Sequence, residues 1–145
     1  MKAFGLMVIS AVASLAVSVP AGHAGDGEAL FGPKFRSVSV EKNGEPRELV
    51  DGTRLQVKFA HEDGGDVVRW SSGCNLFGAQ IEVSEAAIDT GEITSTDMAC
   101  QNALGRQDNF FARFFAGDPS YSAEGRRLTL STDRVEIELR RRLRG

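Results

Sequence analysis

From Phe35 onward the chain alternates apolar and polar side chains in short runs broken by glycine turns, the period of half-buried β-strands. Val38 and Val40 alternate with Ser37, Ser39 and Glu41. Asn43-Gly44 follows, a strong hairpin signal, and predicts a return strand through Arg47, Leu49 and Val50. After an Asp51-Gly52 turn, Thr53 to Ala60 puts Leu55, Val57 and Phe59 on one face and Arg54, Gln56 and Lys58 on the other. Such a strand has one dry face and one wet face. Glu62-Asp63-Gly64-Gly65 turns the chain into a strand around Val67, Val68 and Trp70. A Gly73-Cys74-Asn75 bend leads to two short strands, over 79–83 and 92–96, separated by Glu85 to Gly91. Beyond Tyr121, turns at Glu124-Gly125 and Asp133 bracket strands at Leu128 to Leu130 and Val135-Ile137-Leu139.

One segment changes period. Between residues 103 and 116, Leu104, Phe111, Phe114 and Phe115 fall at helical spacing, with Gln107 and Asp108 between them, and Gly117-Asp118-Pro119 ends the run. Phe110 joins the other three phenylalanines there, out of nine in the whole chain. This helix is expected to act as a lid whose aromatic face plugs the open side of the sheet. Closely spaced turns and a single helix predict a mainly β, α+β domain built as an antiparallel sheet or barrel.

Composition narrows the class. With 145 residues, 41% hydrophobic and 26% charged, the chain suits one globular domain able to bury a core unaided. A net charge of -3 and a pI near 5.4 argue against nucleic acid as a partner. Met1 to Ala24 reads as an export signal: Lys2, an apolar run from Phe4 to Val19, and small residues before a cleavage point after Ala24. That run is short for a membrane span, and cleavage leaves no transmembrane segment. The expected organisation is a signal peptide at 1–24, a flexible leader at 25–34, a domain at 35–141 and a basic tail at 142–145. The expected location is secreted, periplasmic or otherwise at the cell envelope.

Export decides how the two cysteines read. In an oxidising compartment Cys74 and Cys100 are expected to form a structural disulfide. On the chain-entropy model, closing that loop contributes roughly 3.5 kcal/mol. A reactive thiol would need a basic neighbour, and neither cysteine has one within four positions.

Catalytic patterns are missing from the sequence. His61, the one histidine beyond the export segment, sits at a strand end beside acidic turn residues, with no nucleophile elbow to serve. Two cysteines and one histidine match no zinc spacing, so neither a metal nor another cofactor is expected. Glu82, Glu85, Asp89, Glu92 and Asp97 lie between the cysteines and read as a solvated acidic face, a paired-acid hydrolase being the alternative. Arg140, Arg141, Arg142 and Arg144 form a basic end. It reads either as a contact for an anionic surface or as an edge strand blunted by charge against aggregation.

Ser72-Gly73-Cys74-Asn75 with Gly78, Thr96-x-Met98-x-Cys100, Leu49-Val50-Asp51-Gly52-Thr53-x-Leu55, the helix after Cys100 and Leu128-Thr129-Leu130 together resemble the META (HslJ-like) domain family. The resemblance spans about Phe35 to Arg140. It implies a small barrel-like β domain with one helix, an envelope or secreted location, and a loose association with stress tolerance, but no agreed activity or cofactor. Carried onto this chain, Gly73 makes the turn, Asn75 hydrogen-bonds its own loop, Cys74 and Cys100 form the bridge, and Thr96 and Met98 support it from the strand side. Gln80 stands where members often carry an aromatic, and Phe35 where they often begin with Trp, which removes two residues of a shared aromatic surface.

The function expected from these features is a non-catalytic binding or stress-protective module of the envelope. Its partner, an envelope or extracellular protein or ligand, has no signature in the sequence. A secreted inhibitor presenting the stapled 74–100 segment to an enzyme is the alternative from another class.

Overall fold

The alternating runs pair into one antiparallel sheet. The computed structural model describes residues 26–143, so the export segment at 1–24 and Arg144 lie outside the described residues. The strands are β1 (Lys34–Lys42), β2 (Glu45–Pro46), β3 (Gln56–Glu62), β4 (Gly65–Ser71), β5 (Leu76–Val83), β6 (Ile88–Ser95), β7 (Ser120–Glu124), β8 (Arg127–Ser131) and β9 (Val135–Arg141). They lie in the order β6-β5-β4-β3-β1-β9-β8-β7, with β2 paired to β1. Two helices accompany them, α1 (Asp26–Leu30) and α2 (Asn102–Ala116).

The sheet curls into a half-barrel. Register shifts between Ser37 and Ser39 in β1, and between Ala79 and Ile81 in β5, add the local bend that curling requires. The curl brings the turn after β5 to the start of β7. There Ile88 N–H donates to Pro119 O and Tyr121 N–H to Ala86 O, both at 2.9 Å.

Inside the curl lie the residues that alternation assigned to the dry face, Leu55, Val57 and Phe59 among them. Leu128, Leu130, Ile137 and Leu139 face them, and α2 closes the open side with Phe111, Phe114 and Phe115. Trp70 is held between two rings, its centroid 5.3 Å from Phe77 and 4.2 Å from Phe115. Each such side chain contributes about 1.5–3 kcal/mol through removal from water. The lid expected from the phenylalanine spacing is therefore part of the core itself.

Four expectations need correction. The leader is not loose up to β1: Asp26–Leu30 is helical, and Leu30 is fully buried because its apolar side chain joins the hydrophobic core. The return strand after Asn43-Gly44 stops at Pro46. Arg47 N–H still reaches Val40 O, but Val50 N–H is taken by Gln107 Oε1 at 2.8 Å, which draws residues 47–55 toward α2. β5 and β6 are longer than the alternation suggested, so the expected break at 85–91 shrinks to the turn around Ser84, whose N–H donates to Ala87 O. Finally, β9 is no edge strand. It lies between β1 and β8, with Arg140 and Arg141 inside its paired length.

Candidate functional site

The residues picked out around the two cysteines converge on one clasp. Cys74 and Cys100 form a disulfide with their Cα atoms 6.1 Å apart. Gly73 precedes the bridge at φ +130°, a backbone conformation that residues with a Cβ rarely adopt. An added Cβ would also stand 2.9 Å from Thr53 Cγ2 and 3.0 Å from Leu104 Cδ2. Gly78 has no such constraint: it lies inside β5, where a Cβ would meet Val68 O at an ordinary 3.7 Å.

Asn75 does not bond its own loop, as the family pattern implied. Its Oδ1 accepts from Met98 N–H at 2.8 Å and from Thr96 Oγ1 at 3.0 Å, and its Nδ2 donates toward Cys100 Sγ at 3.1 Å. The amide thus crosses to the segment that carries the second cysteine. Thr96 takes Leu76 N–H on its hydroxyl and donates its own N–H to Leu76 O. Met98 contributes only its backbone, since its side chain is 61% exposed.

The centre of the clasp is Asp108, which the sequence reading passed over. Its carboxylate is 2% exposed and accepts from Ser72 Oγ at 2.7 Å and from Asn75 N–H at 2.9 Å. A buried carboxylate is tolerated when it is hydrogen-bonded in this way. Beside it, Gln107 Nε2 donates to Thr53 Oγ1 and to Ser72 O, while its Oε1 holds Val50 N–H. Two consecutive polar residues of α2 therefore fasten both loops that carry the sequence motifs. The signal for Asp108 was present: it sits four residues after Leu104, three before Phe111 and seven before Phe115, on the apolar stripe of the helix.

While the bridge stands, both sulfurs of this clasp are taken up by the S–S bond. Cys74, Cys100 and Asp108 bring their sulfur and oxygen atoms within 4.8 Å of one another. Thiolates, not disulfide sulfurs, hold metal ions, so the bridge withdraws both sulfurs from ligation. His61 lies elsewhere, exposed in β3, stacked on Phe31 at 3.8 Å, with Nδ1 2.6 Å from Asp66 and Nε2 3.6 Å from Glu28. The Asp66 hydrogen bond, aided by the charges of Asp66 and Glu28, raises its pKa above the ordinary 6.5. Among the described residues it touches no nucleophile.

The acids between the cysteines are spread along the β5–β6 hairpin. Glu82 and Asp89 stand opposite each other in register, and with Asp66 they line an open cleft of about 570 Å³. Both Glu82 and Asp89 are exposed.

The basic end is more extensive than a tail. Arg127 pairs with Arg140 and Arg140 with Arg36 across β8, β9 and β1, while Lys34 pairs with Lys58 and Lys58 with Arg69 across β1, β3 and β4. Glu138 reaches Arg127 and Arg140, and Glu62 reaches Arg69. Lys34, Lys58, Arg126, Arg141 and Arg142 line a groove of about 820 Å³ together with Phe31, Pro33 and Leu143, and among the described residues no carboxylate lines it. Arg142 is held by its N–H to Lys34 O at 2.9 Å.

A curled antiparallel sheet, one helix packed across its open side and a disulfide clasp beneath that helix define a small α+β module of the half-barrel kind. The META domain model matches residues 28–142, and the chain belongs to the META domain family, of which HslJ-like is another description. Among solved structures, the chain is similar to a protein from Burkholderia xenovorans determined by NMR, at 15% identity and a TM-score of 0.70, with 94% of this chain and all of that one covered. A second NMR structure is similar at 21% identity and a TM-score of 0.57, covering 79% of this chain and 92% of that one. At these identities the likeness concerns the fold. No curated protein matches the chain. No described helix is long and apolar enough to cross a membrane.

Proposed function

We propose that the protein is an exported, non-catalytic binding module that rests against an anionic surface of the cell envelope through the basic end of its sheet. One observation carries this reading. Among the described residues, five cations line a single groove without a carboxylate, in a chain whose acids outnumber its bases 20 to 17. Like charges opposite one another on neighbouring strands destabilise a sheet, and an anionic surface offsets that repulsion. Leu143, 65% exposed beside Arg142, adds an apolar contact at the same edge. A protective role under envelope stress would follow from attachment of this kind.

The competing readings have weaker support. The 74–100 segment is largely a paired hairpin rather than a projecting loop of the sort an inhibitor inserts into an enzyme. Glu82 and Asp89 share one open setting, whereas a working acid–base pair draws on two environments that differ.

The test is co-sedimentation of oxidised protein beginning at Gly25 with lipid vesicles. Binding is expected with phosphatidylglycerol vesicles and not with phosphatidylcholine alone, to fall as salt rises, and to weaken in Arg141→Gln/Arg142→Gln. Equal binding to both lipids, or to neither, would overturn the proposal.

A further inference from the structure

A second basic groove lies at the other end of the same strands. α2, the β1–β2 turn and the β8–β9 turn enclose about 550 Å³, within the range of small-molecule sites. Its floor is apolar, formed by Phe110, Phe114 and Val135. Around it stand Lys42 at the end of β1, Arg47 after β2, Arg106 and Arg113 on α2, and Arg134 before β9. Among the described residues no carboxylate lines the groove, and none of these five cations has an ion-pair partner. We infer that this groove is a binding site for an amphipathic organic anion, an alkyl or aryl body ending in one carboxylate or phosphate.

The geometry argues for both halves of that ligand. Arg47 lies over the Phe110 ring at 4.0 Å, so its charge is held at the lip of the apolar floor. Its guanidinium N–H groups make no hydrogen bond within the described residues, which leaves a planar fork free for a carboxylate or phosphate. Arg106 and Arg113, seven positions apart, share the helix face that carries Phe110. The two turns are tied together by Asn43 N–H donating to Arg134 O at 2.7 Å, so the cations arrive on braced backbone. An apolar floor alone would accept any oily molecule. Five converging cations select one with a negative head.

This site is separate from the basic end proposed above. Lys34 and Lys42 begin and end β1, roughly 26 Å apart at the usual rise of a strand. Failure of one therefore leaves the other standing.

The experiment uses decyl phosphate below its micelle concentration, with decanol as the uncharged control, on isotope-labelled oxidised protein beginning at Gly25. Decyl phosphate is expected to bind saturably at one site by calorimetry and to shift the amide signals of Asn109, Phe110, Thr132 and Val135. Decanol is expected to bind at least tenfold more weakly. Arg47→Gln/Arg113→Gln should lower the phosphate affinity at least tenfold with an unchanged melting temperature. Arg106→Gln, at an exposed helix position, gives an independent check with a smaller loss. Equal binding of decanol, shifts centred on Arg141 and Arg142, or undiminished affinity in the double variant would overturn the inference. Anionic vesicles added last separate the sources of the head group: displacement of the probe means a bilayer lipid can occupy the groove, and retention means a free monomer does.

Discussion

Asp108 in α2 and Ser72 just after β4 meet through a buried 2.7 Å hydrogen bond across 36 positions of sequence. The same carboxylate holds the backbone of Asn75, whose side chain in turn holds the segment leading to Cys100. One acid thus links the helix, the strand end and both halves of the disulfide.

Asp108→Ala should therefore destabilise the fold by about 3 kcal/mol, since it strands a buried hydroxyl and a backbone N–H that had a charged acceptor. Asp108→Asn keeps one acceptor oxygen and should cost less. Urea unfolding of the two variants checks the order, and equal stability to the parent would show that the carboxylate contributes nothing.

Loss of the bridge should act through the unfolded chain. Cys74→Ser/Cys100→Ser is expected to lower stability by roughly 3.5 kcal/mol while the sheet keeps its register, because the ladders do not depend on the sulfurs. Denaturation with and without reductant measures the difference. Amide shifts unchanged away from residues 72–76 and 96–108 would confirm the retained fold.

The two motif glycines should separate. Gly73→Ala forces a Cβ onto Thr53 and Leu104 at positive φ and should cost about 1–3 kcal/mol. Gly78→Ala meets only ordinary contacts and should change stability by less than about 0.5 kcal/mol. Thermal melts of the pair distinguish steric need from mere presence in the motif.

His61 should titrate above its ordinary value of 6.5, because Asp66 accepts its hydrogen bond and Asp66 and Glu28 favour the imidazolium. A folded-state pKa above the unfolded one means the fold binds the proton more tightly. The resulting stabilisation is complete below about pH 6.5 and is lost as pH rises through the folded-state pKa. The ring Cε1–H signal reads this directly. A midpoint at or below 6.5, or one unmoved by Asp66→Asn, would contradict the pairing.

Local chemistry made much of the fold readable in advance. Alternation at Leu55, Val57 and Phe59 chose the buried face of β3, and Asn43-Gly44, both at positive φ, made the tight turn after β1. Phenylalanine spacing placed α2 almost to the residue. The clasp was only half readable. Its cysteines and Gly73 stand out in the chain, while Gln107 and Asp108 pass for ordinary polar helix residues unless their position on an apolar stripe is noticed.

What the sequence by itself determined were the features set within a few residues: periodicity, turns, the helix and the pair of cysteines. Tertiary structure alone decided that Leu30 enters the core, that β9 lies inside the sheet with its arginines beside those of β1 and β8, and that Asp108 meets Ser72. It also gathered Lys42, Arg47, Arg106, Arg113 and Arg134 around one apolar floor. Periodicity records which face of an element is dry, but it does not record which element will lie alongside. That choice depends on packing and strand order summed over the whole chain, so residues that act together can lie far apart in sequence.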